Sequence, residues 1–239
     1  MKRQVFFYMG FITLSAVFIL LSAIIGHMMI ANSESIFAAA EPDNVCIVID
    51  AGHGGEDGGC VSDSGVLEKE LNLSVSEKIT EILRAMGYNT IMTRTGDEML
   101  YDMYGDDYGG KKKSYDLKNR LRFARENEAD VFVSIHMNKF PQSKYSGLQV
   151  YYSDNHADSK LIADGIQSYC REYLQKDNKR VTKAADSAIY LLDRIELPGV
   201  LVECGFLSNA EETERLCDEQ YQKELSFTVA SAVMAYFES

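Results

Sequence analysis

The chain has 239 residues, 46% of them hydrophobic and 25% charged, enough apolar material to build an ordinary globular core without disulfide staples. Its net charge of −12 argues against a nucleic-acid partner, since binding phosphates calls for clustered Lys and Arg. The five cysteines stand at irregular spacings with no C-x-x-C pair, which excludes a disulfide framework and a cysteine-rich metal site.

Residues 1–40 form a separate segment, read as a signal peptide or an N-terminal membrane anchor. Lys2 and Arg3 precede an apolar stretch over 5–31. That stretch is longer than a usual signal-peptide core and long enough to span a bilayer. Ala38-Ala39-Ala40 then supplies an A-x-A cleavage pattern. The sequence is compatible with a cleaved signal or a retained anchor. Either places residues 41–239 outside the cytoplasm, because the positive charge stays inside. The length of 41–239 fits one domain.

Residues 45–49 are a continuous apolar run, read as a buried strand. A glycine-rich loop follows over 52–65. The spacing of Leu71, Val75, Ile79, Ile82 and Met86 predicts a helix over 70–86, with Gly87 as its stop. A second strand is expected over 88–93. Residues 96–114 read as irregular, with Lys111-Lys112-Lys113 as a solvated basic run. Leu117, Leu121 and Ala124 mark a short helix. Strands are expected over 131–135 and 148–152. Leu161, Ile162, Gly165, Ile166, Tyr169 and Tyr173 mark the next helix. Two more short strands are expected over 188–192 and 200–202. Asn209 with Glu212 three residues later resembles a capping box opening a helix to about Cys217. A last helix is expected over 220–237. Strands alternating with helices argue an α/β domain with a mostly parallel sheet.

Three apolar runs end in chemistry-bearing residues: Asp50-Ala51-Gly52-His53-Gly54-Gly55, Ser134-Ile135-His136-Met137-Asn138 and Leu201-Val202-Glu203-Cys204-Gly205. Open α/β sheets bind ligands beyond the carboxyl ends of their strands. Of the four histidines, His27 lies in the apolar N-terminal stretch and His156 in a polar loop, so both read as non-catalytic. His53 and His136 each sit just past a strand and suit a shared metal site. Glu68, in Leu67-Glu68-Lys69, is a candidate third ligand. Glu70 competes for that role, and either glutamate serves equally well to favour a helix dipole. Glu203 is embedded in apolar residues, where a carboxylate is costly unless paired or functional. It reads either as a general base with a raised pKa or as a buried partner of Arg94 or Arg120. Cys46, Cys170 and Cys204 read as small core residues. No H-E-x-x-H, G-x-S-x-G, Walker lysine or G-x-G-x-x-G is present.

Asp50–Gly55, Glu68-Lys69, Ser134–Asn138 and Val202-Glu203-Cys204-Gly205-Phe206-Leu207-Ser208-Asn209, in that order, resemble the zinc-dependent N-acetylmuramoyl-L-alanine amidases of the amidase type 3 family. The resemblance covers about 45–237. It implies a single α/β domain with a central mixed sheet flanked by helices. It implies one Zn2+ per chain on His53, Glu68 and His136, and Glu203 as the catalytic carboxylate, which favours Glu68 over Glu70. The implied reaction cleaves the amide between N-acetylmuramic acid and L-alanine in peptidoglycan without a covalent intermediate. Residues 135–147 look most like the germination-specific amidases of spore formers, which strip peptides so that muramic δ-lactam forms in the spore cortex. A vegetative or septal wall amidase and a catalytically silent wall-peptide binder are the alternatives. Cys60, where relatives carry a small residue, and the charged insert over 105–113 depart from the family pattern. Too few residues separate His136 from Leu148 to build the plug helix of some division amidases. Control by timing of expression or by an activating partner protein is the expectation instead.

Overall fold

The computed structural model describes residues 44–238; the proposed signal or anchor over 1–40 lies outside the described residues. The described chain folds around a mixed sheet of strands β1 (Cys46–Ala51), β2 (Asn89–Met92), β3 (Val131–Asn138), β4 (Gln149–Tyr152), β5 (Lys183–Ala184) and β6 (Gly199–Phe206). The strand order is β2-β1-β3-β6-β4-β5. Every pairing is parallel except that of β4 with β6. All six residues of β1 are buried, as expected for a strand covered on both faces.

The helices are α1 (Glu68–Ala85), α2 (Lys112–Glu126), α3 (Ala157–Tyr169), α4 (Tyr190–Arg194), α5 (Ala210–Cys217) and α6 (Glu219–Phe237), with a π-turn over Cys170–Leu174 extending α3. One sheet face carries Ile47, Ile49, Val133, Ile135, Val150 and Val202. It packs on Leu71, Val75 and Ile79 of α1, Ile162 and Ile166 of α3, and Leu225, Val229 and Val233 of α6. The other face carries Val48, Phe132 and Leu201 under Ala124 of α2 and Leu191 and Leu192 of α4. His136 and Glu203 share this second face at the carboxyl ends of β3 and β6, and Glu68 reaches the same rim from the start of α1. No helix among the described residues is long and apolar enough to cross a membrane.

Four local expectations are corrected. Residues 188–192 are not a strand: Tyr190–Arg194 is a helical turn. Its apolar run is too short to show a period, and Leu191 and Leu192 are buried by lying flat on the sheet. The strand Lys183–Ala184 was not expected; it is a two-residue, exposed edge with no apolar pattern. The basic run is solvated as expected but is not all loop, because Lys112 opens α2, pairing with Glu56 at 2.6 Å, and the exposed Lys113 pairs with Asp57 at 3.1 Å. Only half of the capping box forms. Asn209 Oδ1 accepts from Glu212 N at 3.1 Å, but Glu212 turns its carboxylate to Phe206 N at 2.8 Å and Gly147 N at 2.7 Å.

Candidate metal centre

The chain leaves β1 through a sharp left-handed turn at His53 (φ 61°), Gly54 (φ 135°) and Gly55 (φ 53°). A histidine in this region costs roughly 1–3 kcal/mol of backbone strain and persists only where its surroundings hold it. Arg120 donates to His53 O at 2.6 Å, Ala51 O at 2.8 Å and Asp50 Oδ1 at 2.6 Å. Arg94 ties Ala51 O, Gly52 O, Gly96 O and Lys69 O together. Both arginines are therefore spent on the framework of the turn, and neither meets Glu203. The reading of Glu203 as a buried arginine partner is overturned.

Glu68 is the first residue of α1, not a loop residue ahead of it. No side chain caps this helix; the loop does so with backbone, Glu68 N donating to Cys60 O at 2.9 Å and Lys69 N to Gly58 O at 3.2 Å. The buried Glu68 carboxylate accepts from Cys60 N at 2.8 Å, Met137 N at 3.2 Å and Asn72 Nδ2 at 3.3 Å. Its Oε1 lies 3.2 Å from His53 Nε2 and 2.9 Å from His136 Nδ1. The three side chains offer ligand atoms that all lie within 4.8 Å of one another. Glu70, the competing carboxylate, is exposed.

Two glycines make this approach possible. A Cβ on Gly52 would sit 2.3 Å from His136 Nε2, and one on Gly59 would sit 2.5 Å from Glu68 Oε2. Asp57, which sequence reasoning missed, places Oδ2 3.0 Å from His53 Nδ1. That contact leaves Nε2 turned toward Glu68. The signal was its place four residues after His53, on a loop with no periodicity to mark its direction. Asp50 was quoted only as part of a motif. It proves to be a fully buried anchor that accepts from Arg120, Ser134 Oγ at 2.6 Å and Thr93 Oγ1 at 2.7 Å.

Burial alone would push the Glu68 carboxyl up, but the imidazoles of His136 and His53 reverse this and hold it well below the usual carboxylate range. Burial pulls His53 down, and the hydrogen bonds and charges of Asp57 and Glu68 outweigh it, holding the imidazole up at about 9. Glu203 behaves oppositely. It is the register partner of His136 across the β3–β6 pair, so the two side chains share a face. Burial pushes its carboxyl up to about 7; His136 opposes the rise and Glu68 adds to it. Glu203 Oε2 is shielded and has no hydrogen-bond partner.

Two imidazole nitrogens and a carboxylate oxygen around one point, with a free carboxylate beside them, form a donor set for a divalent metal next to a base. Tetrahedral ligands at 2.0–2.2 Å stand roughly 3.3–3.6 Å apart. The 2.9 and 3.2 Å separations here are within a few tenths of that. The N-acetylmuramoyl-L-alanine amidase family model matches residues 47–235. The chain belongs to the N-acetylmuramoyl-L-alanine amidase family. It is a peptidoglycan amidase, an enzyme whose substrate lies outside the cytoplasm.

A germination-specific N-acetylmuramoyl-L-alanine amidase of Bacillus subtilis is 34% identical over 191 residues, 80% of this chain and 79% of that one. The amidase LytC of the same organism is 30% identical over 193 residues, and the match spans 35% of its length. The structure of the CwlD amidase from Clostridioides difficile, solved in complex with the GerS lipoprotein, superposes with TM-score 0.75 and 38% identity, covering 81% of this chain and 98% of that one.

The remaining candidates fall outside the site. His156 caps α3, its ring accepting from Asp158 N at 3.3 Å, and His27 lies outside the described residues. Cys46, Cys170 and Cys204 are buried free thiols, as expected of small core residues. Cys60 touches the site through its backbone, while its thiol donates to Met137 O at 3.5 Å. Residues 139–148 hold no helix.

Proposed function

We propose that His53 Nε2, Glu68 Oε1 and His136 Nδ1 hold one zinc ion, that Glu203 is the general base, and that the amide cleaved is the bond joining N-acetylmuramic acid to L-alanine. The observation that carries this reading is the convergence of those three atoms beside a carboxylate with an unsatisfied oxygen. A bound zinc supplies Lewis acidity to the attacking water and the amide carbonyl. The chain's own residues do the rest. Asp57 fixes the His53 tautomer, in the way a carboxylate behind a ligating imidazole does. Cys60 N and Met137 N fix Glu68. Glu203, with a pKa near 7, takes the proton of the attacking water and delivers it to the departing amine of L-alanine. The intact donor set and base speak against a silent binder. Zinc content and release of L-alanine-terminated peptides from purified peptidoglycan test the reading together.

We further infer a role in the spore cortex, where peptide removal permits muramic δ-lactam formation. The similarity to the germination-specific Bacillus subtilis amidase supports it. The similarity to LytC supports the vegetative alternative, over a smaller share of that relative. Muropeptides of a deletion strain separate the two: loss of muramic δ-lactam is expected, and its persistence with a cell-separation defect would favour the vegetative role. Residues 1–40 are proposed to export the domain over 41–239, as a cleaved signal or a retained anchor. An extracytoplasmic activating protein is also proposed, on the ground that the Clostridioides difficile relative was solved with a lipoprotein bound.

A further inference from the structure

The catalytic face continues beyond Glu203. Across the antiparallel β4–β6 pair, Gln149 is the register partner of Glu203 and therefore points to the same side. Phe206 is likewise the partner of Asn138, two residues past His136. Arg180 closes this row. Its Nη1 donates to Gln149 Oε1 at 3.3 Å, and its guanidinium carbon lies 4.4 Å from the centre of the Phe206 ring. Nε donates to Ser146 O at 2.8 Å, and the backbone N donates to Asn178 Oδ1 at 2.9 Å.

Arg180 is half-buried, and it forms no ion pair among the described residues. The nearby Glu212 spends its oxygens on Phe206 N and Gly147 N. A guanidinium has five N–H donors, so the second Nη1 hydrogen and both Nη2 hydrogens lack a protein acceptor. Tyr151, two residues from Gln149 on the same face of β4, has its phenol pushed up by burial and by the charge of Glu203, while Arg180 opposes the rise. A half-buried, immobilised arginine stacked on an aromatic ring, with Glu212 near enough to feel its charge but not paired with it, can still receive a carboxylate bidentately.

We propose that Arg180 binds a carboxylate of the substrate's peptide and so makes the enzyme selective for an acidic stem over an amidated one. Strands lie about 4.8 Å apart, which puts the guanidinium roughly 10–15 Å from the ligand cluster. An extended peptide covers about 3.3–3.6 Å per residue, so the carboxylate lies about three to four residues beyond the scissile amide. Phe140 and Tyr145, with ring centres 4.9 Å apart, and Tyr145 and Phe206, 6.3 Å apart, extend the same ledge beside it. The overall charge of −12 sharpens the need for such a local cation.

The inference rests on the proposed amidase reaction, and the test keeps the two apart. Full-length protein is assayed on synthetic muramyl tetrapeptides with free or amidated stem carboxylates, both for cleavage and, by calorimetry, for binding. Wild type is expected to favour the free-carboxylate peptide by about tenfold or more in kcat/KM, as expected for one charged hydrogen-bonded pair. Arg180→Gln is expected to erase that preference by raising KM for the acidic peptide alone, with kcat retained. Arg180→Lys, which keeps the charge and loses the fork, is expected to fall between. Equal treatment of the two peptides by wild type, or an equal loss on both in Arg180→Gln, overturns the proposal and leaves Arg180 as a strut for residues 146–149. A binding preference without cleavage would sink the reaction and leave the subsite standing.

Discussion

Glu203 stands opposite His136 in the β3–β6 register, with one carboxylate oxygen shielded and unbonded beside the three-ligand cluster. A buried acceptor left unsatisfied costs about 1–3 kcal/mol. On the proposed reading of Glu203 as general base, that cost is kept where the proton is to be received.

Glu203→Gln is expected to keep the zinc and the melting temperature yet lose turnover by about a hundredfold or more, the usual share of general base catalysis. No arginine is left unpaired by the change, so stability is not the casualty. Zinc content, melting temperature and rate measured on one sample decide it. A variant that melts early but turns over normally in the cold would assign the proton transfer elsewhere.

His53→Ala, His136→Ala and Glu68→Ala are each expected to strip the metal, whereas the exposed Glu70→Ala is expected to be nearly silent. Elemental analysis after dialysis checks this. Metal retained by Glu68→Ala but lost by Glu70→Ala would reverse the assignment.

Asp57→Asn is expected to weaken metal affinity about 10–100-fold with the three ligands intact, because His53 Nδ1 loses the carboxylate that orients it. Competition against a chelator of known affinity measures the change. An unchanged affinity would mean that the left-handed turn alone aims the ring.

Arg120→Met is expected to destabilise the fold by about 3–5 kcal/mol, since it leaves the buried Asp50 and Asp116 without their cation. Acid dependence follows from the same pair. Burial raises Asp50, but Arg120, Ser134 and Thr93 outweigh it, so its folded pKa lies below the ordinary aspartate value. The stability it contributes is fully present above about 3.9, the unfolded value, and is lost as pH falls toward the folded pKa. Urea unfolding between neutral pH and pH 2 is expected to show an acid limb that Asp50→Asn flattens. An identical acid limb in that variant would place the titrating group elsewhere.

Much of this fold is legible in the sequence because its strands are buried on both faces and end in marked residues. Val45 to Ile49 and Val131 to Ile135 are apolar runs that admit little else, and both lead into the cluster of His53, Glu68 and His136. The helix α1 is plain from Leu71, Val75 and Ile79. What stayed hidden depends on the third dimension. Asp57 and Arg120 act through contacts that no spacing encodes, one across a turn and the other 70 residues from Asp50. Tyr190–Arg194 and Lys183–Ala184 are too short to carry a period of either kind. Glu68 could be preferred to Glu70 only through the family resemblance, until the helix start put one inside and the other outside.

The reversed direction of β4 has a consequence for how such enzymes diversify. Because β4 runs against β6 and β3, the connection over 139–148 leaves and re-enters the sheet at the same rim, beside His136 and Glu203. It need not traverse the domain. Residues 141–144 at its tip are exposed, and lengthening a surface loop costs only about 0.6 kcal/mol per doubling. The architecture thus offers one port where evolution, or an engineer, can graft a gate or a docking arm directly over the chemistry while every strand keeps its neighbour.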